Sequence, residues 1–365
     1  MAEPLKNMVG EAVVRDIADR VISADTEFGR DRFVADLMSE LPALELKPRI
    51  EAVARRLRSG LSDDYLRALG TVVAVARQDP PIEGFAAWPL CTFVEIFGLD
   101  HPDESLAAME YLTQRASCEF AIRPYLRDHW DKAYTKLEAF TTHDSAEVRR
   151  LPSEGTRPRL PWGANVQRLS DDHAPGLALL EHLRHDPDEV VRRSVANHLN
   201  DISKVSADLV VTTLERWKKE PAIDMKMVSH ALRTLVKQGH LGAMGVLGYA
   251  TEAAVLVVEF DVAPTEVRMG DHISLAATLE STAADSQLIV VDFVIHHINK
   301  SGATSPKVFK WKTLDLGPGE RIDLSKRRLI QMASTRTYYP GEHRVELQVA
   351  GKVVAEASFE VMIGV

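Results

Sequence analysis

A short phrase that recurs inside the chain restricts its fold more than any other feature. His143-Asp144-Ser145-Ala146-Glu147-Val148-Arg149-Arg150 is echoed 42 residues later by His185-Asp186-Pro187-Asp188-Glu189-Val190-Val191-Arg192-Arg193. Asp100-His101-Pro102-Asp103-Glu104-Ser105-Leu106 is a fainter third copy. That period falls in the window of HEAT-type helical repeats. In each copy an Asp-Pro or Asp-Ser turn is placed to cap a helix N-terminus, and acids follow near the positive end of the helix dipole. One such unit cannot bury its apolar face alone. Units therefore stack into a curved solenoid with a concave surface.

The apolar spacing agrees over roughly residues 9–250. Val13, Ile17, Val21 and Ile22 recur at helical intervals, as do Phe33, Leu37, Met38 and Leu41, and then Ile50, Val53, Ala54 and Leu57. Asp63 ahead of Tyr65-Leu66 marks a helix start and Asp79-Pro80-Pro81 a stop. Residues 85–97 predict an apolar helix carrying Trp88 and Phe93. Past about residue 250 the period drops to two. Residues 255–260, 273–279, 288–295, 308–314, 344–349 and 357–362 predict strands. Met269-Gly270-Asp271, Asn299-Lys300-Ser301-Gly302, Gly317-Pro318-Gly319 and Pro340-Gly341 punctuate them. About seven short strands in this space predict an immunoglobulin-like β-sandwich. Tyr339-Pro340-Gly341-Glu342-His343 resembles a tyrosine-corner turn into a late strand. The expected class is multidomain α plus β, with a HEAT-like solenoid over residues 1–250 and an immunoglobulin-like sandwich over residues 254–365.

With 365 residues and 45% hydrophobic content the chain can bury a large core and exceeds one comfortable domain. Its net charge of -9 rules out a polycation, so a nucleic-acid surface has to be a basic face on an acidic molecule. Cys91 and Cys118 lie in apolar helical contexts, which predicts buried free thiols in a reducing cytoplasm. Residues 1–6 hold an acid and a proline with no apolar run behind them, so no signal peptide is expected there. No stretch approaches the ~20 apolar residues of a membrane span. His296-His297 falls on a strand, where neighbours face opposite ways, and the chain has no HExxH and no paired CxxC. It also lacks a phosphate-cradling glycine loop and a GxSxG elbow. No metal and no cofactor are expected.

What remains is a set of carboxylates among arginines. Ser153-Glu154-Gly155-Thr156-Arg157-Pro158-Arg159-Leu160-Pro161-Trp162-Gly163 reads as a non-helical stretch between helices. Between Val148 and Arg168 stand Arg149, Arg150, Arg157, Arg159 and Arg168, with Glu154 the sole acid. Arg192, Arg193 and Lys204 follow. On successive repeats these cations either line a phosphate-binding surface or pack between helices. Glu154 is constrained between Pro152 and Gly155. Trp162 is either part of a site or a loop aromatic plugging the core. Glu119, in Ser117-Cys118-Glu119-Phe120-Ala121-Ile122, reads as an acid within a mostly apolar helical segment, and Asp201 as the end of a repeat helix. Each is either a site carboxylate or an ordinary surface acid. On the later strand Phe309 and Trp311 point one way and Lys310 and Lys312 the other. With Lys300, Lys307 and the loop cations Lys326-Arg327-Arg328, they form either a second DNA clamp or plain sandwich surface.

Residues 153–163, followed by Arg192-Arg193-Ser194-Val195-Ala196-Asn197-His198-Leu199-Asn200-Asp201-Ile202-Ser203-Lys204, resemble the AlkC family of bacterial alkylpurine DNA glycosylases. These are HEAT-like-repeat enzymes related to AlkD, and some carry a C-terminal immunoglobulin-like domain. The resemblance implies excision of cationic N3-alkylated bases, 3-methyladenine and 3-methylcytosine, from duplex DNA without a conventional base-flipping pocket. It implies a monofunctional glycosylase in the bacterial cytoplasm at the nucleoid, with alkylated duplex DNA as partner and a monomer as the default. By position Glu119, Glu154 and Trp162 match the family's active site, and Asp201 is a looser match. The chemistry fits these types. An N3-alkylated base is already positive and leaves without a general acid, while a carboxylate beside the sugar stabilises the oxocarbenium-like charge and orients water. Glu119 and Glu154 are expected to repel one another in the free protein. Trp162 is expected against the deoxyribose or the base, and Arg150, Arg157, Arg159, Arg192, Arg193, Lys204, Lys310 and Lys312 against DNA. The competing expectation is a non-catalytic helical-repeat adaptor for DNA or protein.

Overall fold

The computed structural model describes residues 4–331 and 338–362; residues 1–3 of the N-terminal segment read above lie outside them. The helices are α1 (Glu11–Ala24), α2 (Arg30–Glu40), α3 (Leu46–Gly60), α4 (Tyr65–Ala76), α5 (Trp88–Phe97), α6 (Pro102–Leu112), α7 (Ile122–Asp128) and α8 (Trp130–Phe140). There follow α9 (Ala146–Gly155), α10 (Gln167–Asp171), α11 (Ala174–Leu183), α12 (Glu189–Ile202), α13 (Ala207–Lys218), α14 (Met225–Lys237) and α15 (Leu241–Val246). The strands are β1 (Val255–Ala263), β2 (Glu266–Val267), β3 (His272–Ser281), β4 (Gln287–Ile298), β5 (Thr304–Leu316), β6 (Arg321–Leu329), β7 (Gly341–Val349) and β8 (Lys352–Val361). Helices give way to strands where the hydrophobic period changes. Contacts divide the chain into two compact units, Met1–Ile202 with Ala222–Met227, and Ser203–Pro221 with Val228–Val365. The second unit takes in helical segments as well as the sandwich. Among the described residues no helix is long and apolar enough to cross a membrane.

In the first unit most of the periodic residues bury, although Val13, Ile22 and Met38 are only half-buried and Val14 and Ala18 take the inner positions on α1. Val14, Ile17, Ala18 and Val21 of α1 join Ile50, Val53, Ala54 and Leu57 of α3 in one core that runs on through Leu151 of α9. Cys91 and Cys118 are both buried in it, and burial pushes the Cys118 thiol well above its usual range. Each recurring phrase opens a helix: α6, α9 and α12. The turns close by a device that the capping argument did not foresee. At α12 the Asp188 carboxylate accepts from the Val190 amide at 2.8 Å, an ordinary cap, but at α9 the Ser145 hydroxyl donates to Glu147 instead. There the first arginine of the Arg-Arg pair completes the turn. Arg149 donates to the carbonyls of His143 and Asp144, at 2.8 and 2.7 Å. Its other nitrogens reach Asp186, in the next turn, at 2.6 and 3.0 Å. Arg192 repeats the pattern, donating to the carbonyls of Asp186 and Pro187 and pairing with Asp224 at 2.8 Å. The planar guanidinium fork suits this double duty. Arg192, expected on DNA, is therefore an inter-repeat brace.

The sandwich has one sheet in the order β1-β3-β6 and another in the order β2-β8-β7-β4-β5. Ile273, Leu275, Leu279, Ile289, Val291, Phe293, Ile295, Val345 and Leu347 meet between them. The expected strands did not include the two-residue β2 or β6, where Lys326-Arg327-Arg328 hide the period-two pattern. Those residues pair antiparallel with β3 at the sheet edge, where charged side chains are expected. Phe309 and Trp311 pack on Phe293 as the alternation predicts, and Lys310 and Lys312 are exposed.

Asp186 is almost wholly buried and bonded to Arg149, so truncating it strands a guanidinium. Asp186→Ala should cost about 3 kcal/mol of unfolding free energy in urea titrations. Asp19→Ala, which breaks an exposed pair with Arg30, should leave the midpoint unmoved.

Candidate active site

The site is built on the last turn of α9. Residues 153–155, expected outside a helix, belong to it despite Pro152. Proline removes one amide donor from the ladder. The Pro152 carbonyl in turn accepts from the Thr156 hydroxyl at 2.5 Å, closing the helix end. Gly155 is required there, since a Cβ at this point would lie 2.6 Å from the Ile122 side chain of α7. The helix end thus packs hard on its neighbours and carries Glu154 into the interior, where it is 4% exposed.

A buried carboxylate needs partners, and Glu154 has several. Arg157 donates to its Oε1 at 2.5 Å, and Ser194 of α12 donates to its Oε2 at 2.6 Å. Arg150, one turn earlier, lies 3.4 Å from Oε2. Arg157 extends its Nε to Asp201 of α12 at 2.8 Å. One guanidinium thereby links carboxylates from two helices. The Ser194 hydroxyl also bridges to Ser153 at 2.9 Å. His198 donates from Nδ1 to the Ser153 carbonyl at 2.9 Å, which fixes its tautomer, and burial pushes its pKa down to about 4.

Glu119 approaches from the other side. It lies in the turn before α7, not within a helix as expected. Its Oε2 accepts from Ser117 at 2.9 Å and pairs with Arg150 at 3.0 Å. Both contacts fall on that one oxygen. The expected repulsion between Glu119 and Glu154 is thus corrected, because the Arg150 guanidinium lies within reach of both. The two acids do come to one place.

Trp162 caps the opposite wall. Its φ is 65°, a left-handed conformation that costs a non-glycine residue roughly 1–3 kcal/mol. It is 61% exposed, so it does not plug the core. Arg123 holds the loop from within. It is 1% exposed and donates to the carbonyls of Gly155 and Arg157 at 2.8 and 3.0 Å, and also to that of Ala164. Burial and the nearby Arg157 lower its pKa to about 10, which leaves it charged at neutral pH. Between these walls lies a pocket of about 470 Å³, lined by Phe85, Trp88, Phe120 and Trp162 with Glu119, Glu154 and Arg157 among the polar groups. An aromatic box with carboxylates on one wall is suited to a cation.

Three comparisons bear on this geometry. Over 99% of this chain and 100% of the other, the fold matches that of Pseudomonas fluorescens alkylpurine DNA glycosylase AlkC, solved bound to DNA containing an abasic site analog, with a TM-score of 0.95 and 33% identity. The chain is also 31% identical to the uncharacterized protein YhaZ of Bacillus subtilis (strain 168), over 98% of this chain and 99% of that one. The chain belongs to the AlkC family of alkylpurine DNA glycosylases. A family model described as the C-terminal Ig-like domain of uncharacterised protein YhaZ matches residues 256–363.

Of the residues expected to serve an AlkC site, Glu119, Glu154 and Trp162 line one pocket with Arg157, Arg150 reaches both glutamates, and Asp201 lies behind the lining, tied to Arg157. Arg157, expected on a phosphate, is 8% exposed and held by two carboxylates, so it is an internal strut. Arg159, Arg193 and Lys204 are exposed. Lys310 lies 5.8 Å from the Tyr249 ring centre. It also pairs across the strands with the buried Asp292, whose pKa burial raises to about 6 against the pull of Lys310 and Lys237. Lys312 is exposed on the same face. The sequence reading missed Ser153, Ser194, His198 and Arg123. A charge inside the apolar run Ala121-Ile122-Arg123-Pro124-Tyr125 was a signal for the last; the serines and the histidine gave none.

An unfolded chain takes up a proton on histidine near pH 6.5, while folded His198 stays neutral to about 4. Its contribution is therefore intact above pH 6.5 and lost as the pH falls toward 4. Over that interval wild type should lose on the order of 3 kcal/mol relative to His198→Gln, read from urea unfolding at each pH. A difference between the two that is flat with pH would exclude a buried neutral imidazole.

Proposed function

We propose that this chain excises cationic N3-alkylated bases, 3-methyladenine and 3-methylcytosine, from duplex DNA by hydrolysis of the N-glycosidic bond. The observation that carries the reading is the meeting of Glu119 and Glu154 on Arg150 at the wall of an aromatic pocket. As the bond breaks, its electron pair goes to the base, which leaves neutral, and positive charge develops at the sugar. The bound carboxylates lie preorganised for that charge, and one such contact stabilises a transition state by roughly 3–4 kcal/mol. Glu154 has both oxygens occupied by Arg157, Ser194 and Arg150, which suits a fixed electrostatic role. Glu119 is engaged through Oε2 by Ser117 and Arg150, which suits its other oxygen to orient the attacking water and take its proton. Trp162 offers a π face to the cationic base or the deoxyribose.

The enzyme is monofunctional in this reading. Water is the nucleophile, and among the described residues no lysine lines the pocket to form a Schiff base. Arg159, Arg193 and Lys204 supply backbone phosphate contacts, and Lys310 and Lys312 supply others from the sandwich. The relative solved on DNA with an abasic site analog supports this substrate class.

The test is release of free base from methylated duplex DNA without metal or nucleotide. Glu154→Gln and Glu119→Gln should each slow single-turnover release about 10²-fold or more. Binding to an abasic-analog duplex should change by only a few-fold. No free base from wild type would leave a DNA-binding adaptor. Wild-type rates in either variant would remove that carboxylate from the chemistry.

A further inference from the structure

We propose that Lys47 is a positioning residue for base release, acting through the backbone of Trp162 and the ring of Phe120. The inference rests on the reading of the Trp162 pocket as the active site. Lys47 stands in the first turn of α3, 115 residues before Trp162 in sequence, and is exposed. Its ammonium donates to the Trp162 carbonyl at 2.7 Å and lies 4.9 Å from the Phe120 ring centre. Exposed lysines ordinarily stay solvated or pair with acids. Acids are at hand, since Glu51 and Glu95 line the same small cleft as Lys47. Yet Glu51 is bonded to Arg55, and Glu95, whose pKa burial raises against the pull of Lys47, is near enough to feel that charge but not paired with it, so among the described residues Lys47 makes no ion pair.

The two contacts join the two walls of the pocket. Phe120 stacks on Trp88 with ring centres 5.3 Å apart, forming one wall, and Trp162 forms the other. Arg123 fixes the ends of the loop through the carbonyls of Gly155, Arg157 and Ala164. Nothing in that grip reaches Trp162 itself, whose left-handed backbone must be held by its surroundings. The Gly163 amide closes the turn on the Leu160 carbonyl at 3.1 Å, and Lys47 adds the side-chain hold on the Trp162 carbonyl at its apex. Because the Trp162 carbonyl is near solvent, water replaces the ammonium when it is removed, and the fold survives. What changes is the aim of the indole, and a small misplacement of a positioning group costs rate more than binding.

Lys47→Met in the full chain tests this. Single-turnover release at saturating enzyme should fall about tenfold, while the Kd for an abasic-analog duplex and its salt dependence stay within about twofold. Lys47→Arg should recover part of the rate. Acrylamide quenching of Trp162, taken as the difference between each protein and its Trp162→Phe counterpart, should also change in Lys47→Met. A weaker Kd with a shallower salt slope at unchanged rate would make Lys47 a phosphate contact and overturn the proposal. So would unchanged rate and quenching together. If wild type releases no base, the functional reading fails by itself, and the quenching still decides whether Lys47 holds Trp162.

Discussion

Everything at the site depends on one guanidinium. Arg157 lies between Glu154, three residues before it on α9, and Asp201, across on α12, and it is bonded to both. Remove it and two buried carboxylates lose their shared cation, which is among the costliest changes a folded chain can suffer. With it in place, helix end, loop and neighbouring helix form one charged joint. Ser153, Ser194 and His198 complete that joint with hydrogen bonds, the one from Ser194 landing on the Glu154 carboxylate itself, leaving the carboxylates little freedom to reorient. In the proposed reaction the carboxylate has to be preorganised before charge develops, and this joint would supply that.

The repeats contribute a second use of arginine. In the phrase that recurs, adjacent Arg-Arg residues point about 100° apart on a helix. Arg149 and Arg192 close their own turns and reach an aspartate in the next. Their neighbours are free for other work: Arg150 bridges the two acids, and Arg193 stays exposed. The same dipeptide thus sets the stacking of repeats and furnishes the cation that lets Glu119 and Glu154 sit together. The sandwich shows the same economy, since Lys310 lies near a buried aspartate on one strand pair while Lys312 stays open to solvent.

The chain by itself determined a good deal. The helical period, the echo of 143–150 in 185–193 and the later alternation identified a helical-repeat part and an immunoglobulin-like part, because burial of an apolar face imposes its period directly on the sequence. Glu154, Trp162 and Asp201 stand in two short motifs and Glu119 in a segment outside them, and the fold brings Glu119, Glu154 and Trp162 to one pocket. Edge strand β6 was not legible, since a half-exposed strand rich in Lys and Arg looks like a loop. Nor was the helical ending at 153–155, where packing against α7 and α12 overrides the proline.

The tertiary structure alone decided which arginine does what. Arg157 and Arg159 are two residues apart and indistinguishable as letters, yet one is locked between carboxylates and the other is exposed. The reason is that a guanidinium's role is set by what lies across from it. For Arg157 that is an aspartate 44 residues away, brought within 2.8 Å by the packing of α9 on α12. Pair distances of that kind leave no local trace in composition or spacing, and only the folded chain fixes them.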